Sequence, residues 1–161
     1  MNKTVERVQV VISNMIKNPE EGTKKFNPNM FLLTEIEDKI NLRFKLTLML
    51  HSTPIAVVHI SKKWSIDGIR TFSLHLRSGG HDTRTTSRYM NAVLDTFGHV
   101  PFFTCLRSGL LCLGEIGDIK YLSKGISFSE AFITSISTKG SDQAFKLSSL
   151  QIDGVDYYEV P

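Results

Sequence analysis

Two arginines stand one helical turn apart shortly after a glycine pair, and their position is suited to holding an anion. Gly79 and Gly80 let the backbone adopt positive φ, so a strand that ends near Arg77 can turn sharply into a helix. Arg84 and Arg88 then fall where that helix begins, at the end that already carries partial positive charge. Each placement forgoes about 0.3–1 kcal/mol that a carboxylate would gain there. A nearby negative group should compensate.

Two kinds of negative group could do so. Asp82 could form a local ion pair with the arginines, which would make the cluster purely structural. An external anion such as phosphate could instead be held jointly by guanidinium groups, helix N–H groups and hydroxyls. The hydroxyls of Thr85, Thr86 and Ser87 are placed to contribute, and they could equally cap the first turn by accepting from its free N–H groups.

The charge distribution favours a local basic patch over a uniformly basic protein. The formal net charge is only +3, yet five of the seven arginines lie between residues 70 and 107, opposed there by two aspartates. Cations near an aromatic side chain are typical of nucleic-acid binding. The predicted nucleic-acid or anion-binding residues are Arg77, Arg84, Thr85, Thr86, Arg88 and Arg107, with Lys62, Lys63 and Trp64 from the loop before them.

The histidines do not form a recognisable catalytic or metal set. His51-Ser52-Thr53 and His59-Ile60-Ser61 each resemble the His-x-Ser/Thr element of two-histidine phosphoesterases. On a single strand, however, eight residues would separate the copies by about 26 Å. His75 and His81 could join Asp82, but no third metal ligand stands at a suitable spacing. We therefore predict no catalytic residue, no metal and no cofactor.

Length and composition predict one globular domain over residues 1–161. No apolar run approaches 20 residues and no signal-peptide pattern opens the chain, so we expect a cytoplasmic protein without a membrane span. Two cysteines exclude a disulfide framework and a four-cysteine zinc site. If Ser108-Gly109 forms a two-residue turn, Cys105 and Cys112 lie opposite one another and pack as small hydrophobes.

Periodicity predicts an α+β fold in which an antiparallel sheet is packed by two helices. The first helix is expected over residues 4–17 with Thr4 as its cap, and the central helix over about 85–97. Residues 20–29 read as a polar, mobile loop. In residues 40–50, Leu42 begins a row of alternating inward side chains. Residues 51–116 form a β-β-α-β-β module, and residues 117–161 form a β-rich extension in which 129–132 could be strand or helix.

Three segments of that module resemble a small module found in uncharacterised bacteriophage proteins. They are Thr53-Pro54-Ile55-Ala56-Val57, Leu76-Arg77-Ser78-Gly79-Gly80 and Thr83-Arg84-Thr85-Thr86. The shared features are an apolar strand after Thr-Pro, a strand that ends in Ser-Gly-Gly, a Thr-Arg-Thr-Thr helix start and a closing hairpin. The match covers about residues 51–116, less than half the chain. It implies a viral origin and action on host machinery, without a known activity.

These observations predict a small phage-type, non-enzymatic binding protein in the cytoplasm of a bacterial host. The leading target is nucleic acid or a nucleic-acid-handling host assembly. One alternative is an inhibitor of a host defence or transcription complex that acts by protein contact only, since phosphate and carboxylate attract the same groups. The other is a histidine-dependent phosphodiesterase. A homo-oligomer stays open, because any strand could pair across a dimer.

Overall fold

The computed structural model of the chain describes residues 2–62, 70–97, 102–115, 125–137 and 145–159. Within these ranges the chain forms two helices and eleven strands, so the predicted α+β class is confirmed. The helices are α1 (Lys3–Lys17) and α2 (Arg84–Thr96). The strands are β1 (Gly22–Asn27), β2 (Met30–Asp38), β3 (Arg43–Leu50), β4 (Thr53–Ser61), β5 (Arg70–Arg77), β6 (Phe102–Arg107), β7 (Leu110–Glu115), β8 (Ile126–Ser127), β9 (Glu130–Ser137), β10 (Phe145–Ile152) and β11 (Val155–Glu159).

The strands form two antiparallel sheets. The large sheet has eight strands in the order β1-β2-β3-β4-β5-β9-β10-β11, and the small sheet has the order β6-β7-β8. Elements β4, β5, α2, β6 and β7 follow the predicted β-β-α-β-β order, but the hairpin β6–β7 belongs to the small sheet. The segment around residues 129–132, which could have been strand or helix, is strand.

One face of the large sheet forms the main part of the core. Phe44, Leu46, Leu48 and Leu50 of β3 are buried in alternation with more polar neighbours. The register extends this row across the sheet, from Leu46 to its partner on β4 and onward through β5 and β9. Burying each such side chain contributes about 1.5–3 kcal/mol. The opposite, open face of the sheet carries polar side chains such as Lys45 and His59 together with apolar ones such as Phe132, which is 42% exposed.

Leu42, predicted to point inward, is an exception. It lies in the turn before β3 with φ of 52° and is 52% exposed. The inward row therefore starts at Phe44, because the turn reverses the chain before the alternation can begin.

The two helices pack on the buried face and on one another. Helix α1 buries Val8 and Ile12, and Gln9 Nε2 donates to the carbonyl of Ala92 on α2 over 3.3 Å. Its cap is Asn2, whose Oδ1 accepts from the N–H of Thr4, so the prediction of Thr4 as the cap was wrong by two residues. Neither described helix is both long and apolar enough to cross a membrane.

The segment predicted as a mobile loop contains a strand. Residues 22–27 form β1 and pair with β2 across a turn at residues 28–29. Lys24 and Lys25 are exposed while Phe26 is buried, so this edge strand shows almost no alternation of polar and apolar residues. An edge strand that contributes a single side chain to the core cannot produce the pattern by which strands are recognised.

Candidate nucleic-acid interface

A glycine corner joins β5 to α2, as the sequence predicts. Gly79 and Gly80 have φ of 59° and 80°. A Cβ on Gly79 would lie 2.3 Å from Cγ2 of Thr53, so both the dihedral angle and the close approach require glycine there. The N–H of Ser78 donates to the carbonyl of Ser129 over 3.0 Å. These contacts fix the corner against the ends of β4 and β9.

The start of α2 uses most of its hydroxyls internally. Thr83 is the cap, since its Oγ1 accepts from the N–H of Thr86 over 3.2 Å, whereas the cap was predicted among residues 85–87. Thr86 is fully buried and Ser87 is nearly so. Thr86 therefore cannot meet a ligand from solvent, which corrects its place among the predicted binding residues. Thr85 is exposed and keeps its hydroxyl available.

A buried polar network locks α2 against the small sheet. Thr104 Oγ1 on β6 lies 2.8 Å from Ser87 Oγ. The Asn91 side chain accepts from the Thr104 N–H over 2.7 Å and donates to its carbonyl over 3.0 Å. Sequence periodicity places Asn91 on the outward stripe with Arg88. Its role was missed because its partner, Thr104, lies on β6 of the small sheet, 13 residues further along the chain. The network holds the exposed side of α2 in one orientation.

Arg84 and Arg88 lie on that exposed side. The first turn of α2 contains no acidic residue. Among the described residues no carboxylate comes within 4.0 Å of either guanidinium group, and Asp82 makes no ion pair with them. The local ion pair that would have made this cluster purely structural is therefore not formed within the described part of the chain.

Arg107 ends β6 and is exposed. Burial raises the pKa of the Cys112 thiol, and the neighbouring Cys105 raises it further. The charge of Arg107 lowers this pKa while that of Asp82 raises it. Arg107 lies three residues beyond Thr104, whose contacts with Ser87 and Asn91 attach β6 to α2. We call Arg84, Thr85, Arg88 and Arg107 the α2 surface.

The cysteines themselves follow the prediction. Ser108 and Gly109 form a two-residue turn with φ of 52° and 75°, and Cys105 pairs with Cys112 in the register of β6 and β7. Both are free thiols, with Cys112 buried.

Other predicted binding residues lie elsewhere. Arg77 alternates with Leu76 on β5 and shares the open face of the large sheet with His75, whereas α2 packs on the buried face. Lys62 follows the far end of β4, and its Nζ donates to the carbonyl of Lys17 over 3.3 Å. Nine residues of extended chain span about 30 Å, which separates Lys62 from the glycine corner at Thr53. Lys63 and Trp64 lie outside the described residues.

The histidines occupy separate positions. His51 precedes β4, with its ring centroid 6.2 Å from that of His81, while His59 lies near the other end of the strand. The two His-x-Ser/Thr elements therefore do not converge on one point. His75 stacks on Phe132 at 4.1 Å. In the part of the chain that the structure describes, no group of three or more histidine, cysteine, aspartate or glutamate residues could hold a metal ion.

The guanidinium groups of the α2 surface have the geometry and charge that match oxyanions. Each guanidinium presents a planar set of donors that matches two oxygens of a phosphate or carboxylate. The side chains of Arg84 and Arg88 begin about 5–6 Å apart on one helix face.

No protein-family model, no curated protein and no solved structure matches this chain.

Proposed function

We propose that this protein is a small phage-type, non-enzymatic binding protein whose α2 surface binds nucleic acid, alone or within a nucleic-acid-handling assembly of a bacterial host. The observation that supports this proposal is the exposure of Arg84 and Arg88 at a helix start with no carboxylate of the described residues in ion-pair distance. The proposed location is the host cytoplasm.

The arrangement suits a polymer of phosphates better than a single small anion. The α2 surface is an exposed region formed by the start of α2 and the end of β6, and it offers guanidinium groups at separate points. A backbone of successive phosphates can contact several such points at once, and each contact releases condensed counterions. The exposed hydroxyl of Thr85 adds a phosphate contact of the kind that positions a protein on nucleic acid without reading sequence.

A salt titration tests the proposal. Fluorescence anisotropy of labelled single-stranded and duplex DNA and RNA should show affinity that falls steeply between about 50 and 200 mM salt. In Arg84→Ala/Arg88→Ala, loss of two phosphate contacts should flatten the slope of log K against log salt by about 2 on duplex. Lys24→Ala/Lys25→Ala is the matched control, because it removes two exposed positive charges from β1.

The control variant should retain its affinity and slope. Equal losses in the two variants would show that only overall charge matters. Absence of binding at low salt would reject the nucleic-acid proposal. The alternative would then be that the protein inhibits a host defence or transcription complex by protein contact through the same arginines. Purification of the protein together with host partners would test it.

A further inference from the structure

A second polar region lies on the open face of the large sheet, at the end away from the glycine corner. It is a groove of about 430 Å³ lined by residues of β2, β3, β4, β5 and β9, most of them polar. Three of these side chains are titratable or charged, namely Glu37, Arg43 and His59. Four carry hydroxyls, namely Ser61, Thr71, Ser73 and Thr134. We call these seven residues the polar groove.

Strand register brings the polar groove together. Cross-strand pairing forms two adjacent rows on the same face, each running over several strands. The first row is His59, Ser73 and Thr134, and the second is Arg43, Ser61 and Thr71. Side chains opposite one another in such rows begin about 4.5–5.5 Å apart. A ligand lying across the strands would therefore meet donors and acceptors from four strands at once.

A bulge directs Glu37 into this set. The register of β2 and β3 shifts between Ile36 and Asp38, so Glu37 has no partner directly opposite on β3. Its Oε1 lies 2.9 Å from Nδ1 of His59, which is two strands away. Bulges commonly redirect a side chain in this way next to binding and active sites. With Nδ1 donating to Glu37, the Nε2 atom of His59 is left for another partner.

Arg43 supplies the cationic part of the polar groove. Its neighbour on the same face, Lys45, is paired with Glu35 over 3.0 Å. Arg43 is exposed, and among the described residues no carboxylate lies within 4.0 Å of its guanidinium group. The polar groove therefore combines one guanidinium that has no ion pair there with a carboxylate, an imidazole and four hydroxyls.

We propose that the polar groove binds a sugar phosphate. The guanidinium of Arg43 matches the phosphate, which it can hold with two parallel hydrogen bonds. A carboxylate can accept from sugar hydroxyls, as it does from ribose in dinucleotide sites, and this assigns the sugar to Glu37 and His59. Inorganic phosphate would be repelled by the negative charge of Glu37 and would offer no sugar hydroxyls for Glu37 and His59 to contact. A neutral sugar would leave the guanidinium of Arg43 without an anion within 4.0 Å among the described residues.

Isothermal titration calorimetry with ribose 5-phosphate tests this site. We expect saturable binding, with ribose and inorganic phosphate each at least about tenfold weaker, a difference of about 1.4 kcal/mol. Arg43→Gln should weaken the binding of ribose 5-phosphate by a similar factor. Glu37→Gln should weaken the binding of ribose and of ribose 5-phosphate but not the binding of inorganic phosphate. Both side chains are exposed, so the variants should keep the thermal unfolding midpoint of the wild type.

Arg84→Ala/Arg88→Ala is the control that separates this site from the α2 surface. This variant should bind ribose 5-phosphate with the affinity of the wild type, whether or not it has lost its affinity for nucleic acid. Three results would overturn the proposal: no saturable binding at millimolar ribose 5-phosphate, equal affinity for inorganic phosphate, or binding that survives Arg43→Gln unchanged.

Discussion

The α2 surface and the polar groove both present arginines without an ion pair among the described residues, yet their surroundings differ. On the α2 surface, Arg84 and Arg88 share a helix face with a hydroxyl. In the polar groove, Arg43 lies in a concave site that also contains Glu37 and His59. An exposed cationic face suits an extended anion, whereas a concave site of mixed charge suits a small ligand with both anionic and hydroxyl groups. Under the two proposals, the same residue type serves two kinds of recognition.

The two regions are also held in place by different means. The orientation of α2 depends on a cap at Thr83 and on the buried contacts of Thr104 with Ser87 and Asn91. The polar groove depends on the register of central strands and on one bulge. Substitutions in the first set should therefore change stability and the α2 surface, while leaving the polar groove intact.

The largest effect is expected for Thr104→Val. It removes a buried hydroxyl and leaves Ser87 Oγ without its partner on β6, which should lower the free energy of unfolding by about 1–3 kcal/mol. Chemical denaturation measures the change. Thr134→Val is the matched control, because Thr134 is a strand threonine on the open face of the large sheet and is only partly buried. This substitution should change the free energy of unfolding by less than about 0.5 kcal/mol. Equal losses would show that the Thr104 network does not hold α2.

A smaller effect is expected at the helix cap. Thr83→Ala removes the hydroxyl that accepts from the Thr86 N–H, and should lower the free energy of unfolding by about 1 kcal/mol. Thr85→Ala, two residues later on the exposed side of the same helix, should cost nothing, because alanine favours helix. A larger loss in Thr85→Ala than in Thr83→Ala would contradict the assignment of the cap.

The smallest effect is expected at Asp38, where β2 ends beside the polar groove. A hydrogen bond from the Asn41 side chain, over 2.6 Å, and another from the Asn41 backbone N–H hold the pKa of Asp38 below 3.8. Because the folded pKa is the lower one, this contribution to stability is present above pH 3.8 and is lost as pH falls through the folded pKa.

An NMR titration of the Asp38 carboxyl group measures this directly. Asn41→Ala removes the side-chain hydrogen bond and should move the pKa of Asp38 up toward 3.8. An unchanged pKa in that variant would show that another group lowers it. The substitution should leave nucleic-acid binding by the α2 surface unaltered.

Much of the fold can be predicted from the sequence because it depends on local patterns. The alternation in β3 predicts its buried face, and Gly79-Gly80 predicts the corner before α2. Strand β1 escapes prediction because an edge strand with polar residues on both faces has no period of 2. The cap was placed too late because several adjacent residues carry hydroxyls, and only the backbone geometry distinguishes Thr83 from those that follow.

The sites are predictable only in part, and for a physical reason. Arg84 and Arg88 lie on one side because helical spacing places them there. The burial of Thr86, the location of Arg77 on the other sheet face and the distance of Lys62 all depend on tertiary structure. The contact between Glu37 and His59 joins residues 22 positions apart and requires a bulge, so no local pattern could reveal it.

The most direct test of the central claim is a map of where nucleic acid binds. Proton–nitrogen NMR spectra of the labelled protein should be recorded during titration with a short single-stranded oligonucleotide at low salt. If the α2 surface is the interface, the largest shift changes will fall on residues 83–88 and on Arg107, and those of the polar groove will stay in place. Changes centred on the polar groove, or no changes at all, would contradict the assignment of nucleic-acid binding to the arginines of α2.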